Sequence, residues 1–234
     1  MSTLTEHTDG SAHTDEPTPA HPVTGTALRR QGIAALRLLV VLTIVLGVLY
    51  PLGVWAVSRV PGLHDQAEGS LLGSPGMATG SSLIGIDPVP ANAAADPWFH
   101  TRPSASAPED ATAGLGPADP STSGGSNKAA DSGDLVKAVG ERRTSIAARE
   151  GVDPAAVPPD AVTASASGLD PDISPAYAAL QVPRVARVTG LGEDQVRALV
   201  AQATEGRALG FLGEPRVDVP ELDSLVHTAA PAAR

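Results

Sequence analysis

A single N-terminal transmembrane helix followed by one small extracytoplasmic α/β (α+β) domain is the architecture this sequence predicts, and three observations carry it. Residues 38–58 hold no charged side chain over 21 positions rich in Leu, Val and Ile. At a rise of about 1.5 Å per residue such a helix is about 32 Å long, enough to cross the hydrocarbon core of a bilayer. Residues 61–223 then alternate loops with short helix-like and strand-like stretches, as one modest domain does. The chain has no cysteine, which removes disulfides, thiolate metal sites and cysteine nucleophiles together.

The first element is a tail. Residues 1–32 read as an acidic, disordered cytoplasmic segment: Asp9, Asp15 and Glu16 stand among Thr, Ser, Gly and Pro with no apolar period. His7, His13 and His21 are spaced irregularly, which suits a solvated tail better than a metal site.

The span itself is expected over 33–60. Arg29, Arg30 and Arg37 precede the apolar run and only Arg59 closely follows it. Positive charge stays on the cytoplasmic side, so the N-terminus is expected inside and residues 60–234 outside a single-pass cell-membrane anchor. Tyr50 and Trp55 fall toward the outer end, where aromatic rings favour the interface. Pro51 has no N–H for the carbonyl of Gly47, so a bend or a close helix contact is expected there, with Gly47 offering room to a partner helix. A cleaved leader is the competing reading, with Ala56 and Ser58 as small residues. The run is long for a leader, and Arg59 would have to begin the mature chain.

In the outer domain, residues 103–133 are rich in Pro, Gly, Ser and Ala and read as irregular. Residues 134–150 pattern as a helix with Leu135, Val136, Val139 and Ile146 toward one side and Gly151 as its stop. Residues 152–160 are a Pro-rich connector. Ser174-Pro175 has N-cap and first-turn chemistry for a helix that Pro183 breaks or restarts and Gly190 ends. Residues 193–205 form the clearest helix, with Val196, Leu199, Val200 and Ala203 at i, i+3, i+4 and i+7. Residues 216–219 read as a strand stopped by Pro220, and 224–234 as a flexible C-terminus.

Composition and motifs exclude much chemistry. Lys+Arg 16 against Asp+Glu 26 gives a net charge of −10, which argues against nucleic-acid partners. Aromatics are only 3% of the chain, so the core must be built mainly from Ala, Val, Leu and Ile. There is no phosphate-cradling P-loop. The S-x-x-K position before Lys128 is Gly125, and the G-x-S-x-G pattern is incomplete at Ser126 and Ser167. Outside the tail His64, His100 and His227 are widely separated, with no metal-ligand spacing. No catalytic residue is assigned.

What the outer segment does hold is a series of polar blocks. Trp98-Phe99-His100-Thr101-Arg102-Pro103-Ser104 sets aromatics beside a fixed cation. Ser123-Gly124-Gly125-Ser126-Asn127 is a turn rich in backbone donors, and Ser165-Ala166-Ser167-Gly168-Leu169-Asp170 is a second, leading to the Ser174 cap. Each alone is ordinary turn chemistry.

Taken in order, these blocks resemble the C subunit family of the Kdp high-affinity potassium-transporting P-type ATPase. Gly80-Ser81-Ser82-Leu83-Ile84-Gly85, Gln181, Arg184-Val185-Ala186 and Leu212-Gly213-Glu214-Pro215-Arg216-Val217 belong to the same pattern, which covers about residues 35–223. Asp87, Asp218, Pro220 and Asp223 depart from it, which puts the C-terminal strand and one surface contact in question. The resemblance implies a non-catalytic accessory subunit of the ATP-driven uptake complex. Its partners would be a potassium-channel-like subunit, the ATP-hydrolysing P-type subunit and a small single-helix subunit, with lipid around the anchor. The family is described as a catalytic chaperone that raises the ATP affinity of the hydrolysing subunit. No cofactor of its own is implied, and ATP would be met only through the complex. The topology puts the Ser/Gly/Asn blocks on the side of the membrane opposite the nucleotide, which favours assembly over direct ATP contact. On that reading Arg102, Ser123, Gly124, Gly125, Ser126, Asn127, Ser165, Ser167, Gly168, Asp170, Gln181 and Arg184 are the candidate partner or nucleotide contacts, and Gly47 and Pro51 the candidate packing site in the span. A membrane-anchored serine hydrolase using Ser126 or Ser167, or an anchored ligand-binding module, is the alternative.

Overall fold

The apolar run lies in one helical segment, Gly25–Ser58. The structure, a computed structural model, describes residues 25–74 and 77–230; most of the tail, with His7, His13 and His21, and residues 231–234 lie outside the described residues. The chain divides at residues 60 and 61 into two units.

The first unit is α1 (Gly25–Ile44), one π-helical turn (Val45–Leu49) and α2 (Tyr50–Ser58). It is long and apolar enough to cross a membrane, and none of its apolar window is buried in protein. Among the described residues it is helical from Gly25 onward, ahead of the expected span, because residues 26–31 are mostly good helix formers that nothing interrupts. Pro51 falls just after the π turn, which widens the ladder where the proline ring and its missing donor fall.

The second unit opens with a short helix α3 (His64–Ala67) and an antiparallel hairpin, β1 (Leu71–Ser74) with β2 (Met77–Ser81), bulged at Leu72/Gly73. A long irregular stretch follows, as the Pro/Gly/Ser content requires, up to α4 (Gly133–Glu150), which stops at Gly151 in the left-handed conformation. Ile146 and Ala147 enter the core, but Val136 is 67% exposed, because it lies off the stripe that Leu135, Val139, Arg142 and Ile146 turn inward.

After α5 (Pro159–Val162) come the strand β3 (Asp172–Ile173) and α6 (Pro175–Thr189). Ser174 caps α6 by accepting from the Tyr177 N–H, and Gly190 ends it. Pro183 does not break α6. Pro183 and Ala179, whose carbonyl loses its partner, both lie on the exposed face, where water replaces the missing bond. α7 (Glu193–Gln202) is shorter than the apolar period predicts, because Thr204–Glu205 leave the helix as β4 to pair with β5 (Arg216–Asp218). The three-stranded sheet is antiparallel in the order β3-β5-β4.

The C-terminus is the main correction. Pro220 does not stop a strand so much as open a helix: α8 (Val219–Ala229) carries it in its first turn, and Asp218 caps the helix by accepting from the Glu221 N–H. Residues 224–229, expected to be flexible, are helical, and Val226 joins Val217, Val219 and Leu222 in the core. α6 runs through the middle of that core, burying Tyr177, Val182 and Val185 against Phe99, Ile146 and Val196. The shortage of aromatics is met by placing Phe99 and Tyr177 at full burial.

Candidate functional site

The loop blocks of the sequence converge on one face of the second unit. The Ser165 N–H donates to the Pro103 carbonyl at 2.8 Å, and the Gly124 N–H and Ser123 hydroxyl both donate to the Ser167 carbonyl, at 2.7 and 3.0 Å. Hydroxyls close the remaining turns. Ser104 and Ser106 lie 3.0 Å apart, Ser165 and Ser167 3.2 Å, and Ser165 Oγ accepts from the Asp170 N–H. Arg102 forms an ion pair with Asp170, which also takes the Asp172 N–H at 2.9 Å. Gly168, at φ +76°, sits where a Cβ would lie 2.9 Å from the Gly124 carbonyl oxygen, and one on Gly125 would lie 3.0 Å from that of Ala166. Gly168 and Gly125 therefore let the two loops close on each other, whereas a Cβ on Gly124 would meet nothing within 4 Å. Arg142 of α4 braces the face from below, donating to the carbonyls of Ala113 at 2.7 Å and Val162 at 3.0 Å. Burial lowers its pKa.

Beneath this face lies a buried charged cluster. His100 has a carboxylate on each ring nitrogen: Nδ1 is 2.9 Å from Asp87 and Nε2 2.6 Å from Asp96. An imidazole can donate from both nitrogens only when protonated. Burial works against that charge, but Asp87 and the two hydrogen bonds outweigh it and raise the pKa of His100 above its ordinary value, against the opposing Arg149. Asp96 goes the other way: burial would raise its pKa, but His100, Arg184 and the Trp98 N–H hold it lower. Arg184 donates to the carbonyls of Asp96 and Trp98, each at 2.8 Å, and to Glu150 and Gln181, each at 3.0 Å. Gln181 accepts from the His100 N–H and returns a bond to the His100 carbonyl. Arg149 binds Glu150 and the Tyr177 hydroxyl, whose pKa burial pushes up to about 12. Asp223 of α8 accepts from the Phe99 N–H at 2.8 Å, and burial pushes its pKa up to about 8.

The candidate contacts thus separate into two groups. Arg102, Ser123, Gly124, Gly125, Ser165, Ser167, Gly168 and Asp170 form the loop face. Ser126 and Asn127 lie at its exposed edge, Asn127 at φ +50°. Gln181 and Arg184 are not on it: at 0% and 3% exposure they are committed to the interior cluster. Asp87, Asp96, Glu150 and Asp223 belong to the cluster although no motif in the sequence marks them as site residues. The i, i+4 spacing of Asp96 and His100 was the one local signal, while Asp87 and Glu150 reach the cluster only through the tertiary fold. Of the departures, Asp87 pairs with His100, Asp218 caps α8 and Asp223 holds Phe99, so each has a structural partner in this chain. Among the described residues no set of three or more His, Asp or Glu is arranged to hold a metal ion, and no buried side-chain N or O lacks a hydrogen-bond partner.

Residues 32–227 match the sequence profile of a family described as KdpC: K+-transporting ATPase, c chain. The chain belongs to the KdpC family. The potassium-transporting ATPase KdpC subunit of Kineococcus radiotolerans is 49% identical over 206 residues, 88% of this chain and 97% of its own. Those of Streptomyces avermitilis and Rhodopseudomonas palustris are 44% and 46% identical, over 81% of this chain and 90% and 92% of their own. As a KdpC chain it is the accessory subunit of a potassium-transporting ATPase. The hydrolase and free-standing binding-module readings are not favoured. His100, with both nitrogens committed to carboxylates, has none left to take a proton from a serine.

Proposed function

We propose that this chain acts without chemistry of its own, as an assembly and stabilising subunit whose loop face docks on its partners in the potassium-uptake complex. The observation that carries the reading is the division between face and interior. The acids, bases and cations of the interior cluster satisfy one another, while Arg102, Asp170 and the Ser/Gly turns are held rigid at the surface, and a preformed surface binds without an ordering cost. The partners are a channel-like potassium-selecting subunit, the ATP-hydrolysing P-type subunit and a small single-helix subunit. The channel-like subunit is the one that meets the loop face. Arg29, Arg30 and Arg37 before the span keep the N-terminus in the cytoplasm, so residues 60–234 stand outside the cell membrane. ATP then bears on this chain through the complex, and any rise in ATP affinity is transmitted by assembly and not by a nucleotide on the Ser/Gly turns.

The test measures complex recovery and potassium-stimulated ATPase activity together for Arg102→Ala, Asp170→Ala, Ser126→Ala and Ser167→Ala. An interface loses both in proportion, with the two charge variants worst, by about 2–5 kcal/mol at the interface, and the serine variants mild, at about 1 kcal/mol. A serine variant with intact complex and abolished activity overturns the reading.

A further inference from the structure

The interior cluster contains a device that the docking role does not use. His100 is gripped by two carboxylates from its own segment, Asp87 and Asp96, at 2.9 and 2.6 Å. That geometry needs the imidazolium. A neutral ring has one N–H, so on deprotonation one carboxylate faces a nitrogen lone pair inside the protein, with no donor and little water. The same groups tie the segment to the rest of the unit. Asp87 also accepts from the Thr101 N–H at 3.0 Å, the Gln181 side chain bridges the His100 backbone, and Asp96 takes the Arg184 guanidinium at 3.4 Å. Thr101 is followed by Arg102, which holds Asp170, and the Gly85 N–H donates to the Leu169 carbonyl at 2.9 Å. Both ends of the segment therefore touch the Ser165–Asp170 turn.

We propose that Asp87, His100 and Asp96 form a proton-operated latch, closed while His100 is charged, that fixes residues 85–101 on α6 and so keeps the loop face ordered. Around His100, α4 contributes Arg149 and Glu150, α6 contributes Arg184 and Tyr177, and α8 contributes Asp223. Arg149 and Arg184 favour the neutral ring, whereas Glu150 and an ionised Asp223 favour the charged one. Glu150 and Asp96 offset the charges of the two arginines, which leaves Asp87 as the charge that tips the ring toward its protonated form, with the Asp96 hydrogen bond adding to it. In the open state the ring returns to its ordinary value near 6.5. Between that value and the closed-state midpoint, the opening equilibrium should grow about ten-fold per pH unit, and it should be flat on either side. Alkalinity of the compartment bathing the domain would then loosen the loop face without any ligand.

The experiment uses the full chain in detergent or nanodiscs and does not depend on the docking reading. Hydrogen exchange of residues 85–103, corrected for intrinsic rates, is followed across pH alongside the histidine ring resonances, with His100 assigned after replacing the other five histidines. The expected result is a His100 midpoint above 6.5, with exchange accelerating about ten-fold per unit between 6.5 and that midpoint. Asp87→Asn should lower the midpoint, and His100→Gln should abolish the pH dependence. Asp223→Asn, which removes the other group able to titrate here, should leave an exchange step at the His100 midpoint. A His100 that titrates at or below 6.5, or an exchange step that disappears with Asp223→Asn, overturns the latch. The wild-type titration and the Asp87→Asn shift decide the matter even if His100→Gln does not fold.

Discussion

A Cβ on Gly85 would lie 2.4 Å from the carbonyl oxygen of Asp170 and 2.7 Å from Cα of Pro171, closer than any real side chain approaches backbone. The contact is between two backbones, so no flexible side chain can yield. Gly85 is therefore the point where the segment leading to the latch lies directly on the Ser/Asp turn. Gly85→Ala should push the two apart and cost about 1–3 kcal/mol, the usual range for overpacking. Chemical denaturation of the solubilised chain measures this, and an unchanged midpoint would mean that the two backbones are free to separate.

Gln181 offers a sharper contrast with the sequence reading, which placed it among the contacts. It is fully buried and bridges the His100 backbone on both sides. Gln181→Ala leaves a buried N–H and C=O unpaired and should destabilise the chain by about 1–3 kcal/mol. ATP affinity of the assembled complex should be unchanged per assembled unit, because the side chain does not reach the loop surface. A variant of wild-type stability whose complex binds ATP more weakly would return Gln181 to the contact set.

In the N-terminal apolar helix, an added Cβ on Gly47 meets only Thr43 Cγ2, at 4.0 Å, so this face of the π turn is open within the chain. Small residues at such places admit a second helix closely. Gly47→Leu should therefore reduce co-purification of partner subunits, while Val41→Leu should not. Equal recovery of both would mean that the Gly47 face looks at lipid.

Local chemistry made the apolar N-terminal helix, the Ser174 cap, the Gly151 and Gly190 stops and the buried stripe of α7 legible, because each depends on residues within a turn or two. The loop blocks were legible as blocks, but their closure was not: Ser165 bonds to Pro103, and Gly124 to Ser167, across tens of residues. The misreadings share that cause. Pro183 and Pro220 look like breakers until the fold puts one on a wet face and the other in a first turn. Arg184 and Gln181 look like surface contacts until Glu150, Asp96 and His100 surround them. A cluster drawn from four separate segments has no sequence period to find.

Asp223 allows the interior charge to be measured through pH. Its carboxyl titrates at about 8 in the folded chain against 3.8 ordinarily, with burial as the first cause and the Phe99 N–H, His100 and Arg184 opposing it. The folded state thus holds a proton there that the unfolded chain releases between those two values. Stability must fall as pH rises across that window, by up to about 1.4 kcal/mol per unit, and level off above it. His100 adds to the fall, since its raised folded value gives stability that is present below 6.5 and lost as pH passes that folded value. Asp223→Asn keeps an oxygen to accept from Phe99 and carries no charge at any pH. It should match the wild type near pH 4, exceed it increasingly toward pH 8, and retain the slopes due to His100, to Asp172, whose pKa burial raises, and to Asp218, whose pKa burial pushes up to about 6. Denaturant titrations at pH 4, 6 and 8.5 distinguish the outcomes, and a variant less stable than the wild type at pH 8.5 would show that Asp223 is ionised and attractive in the folded protein.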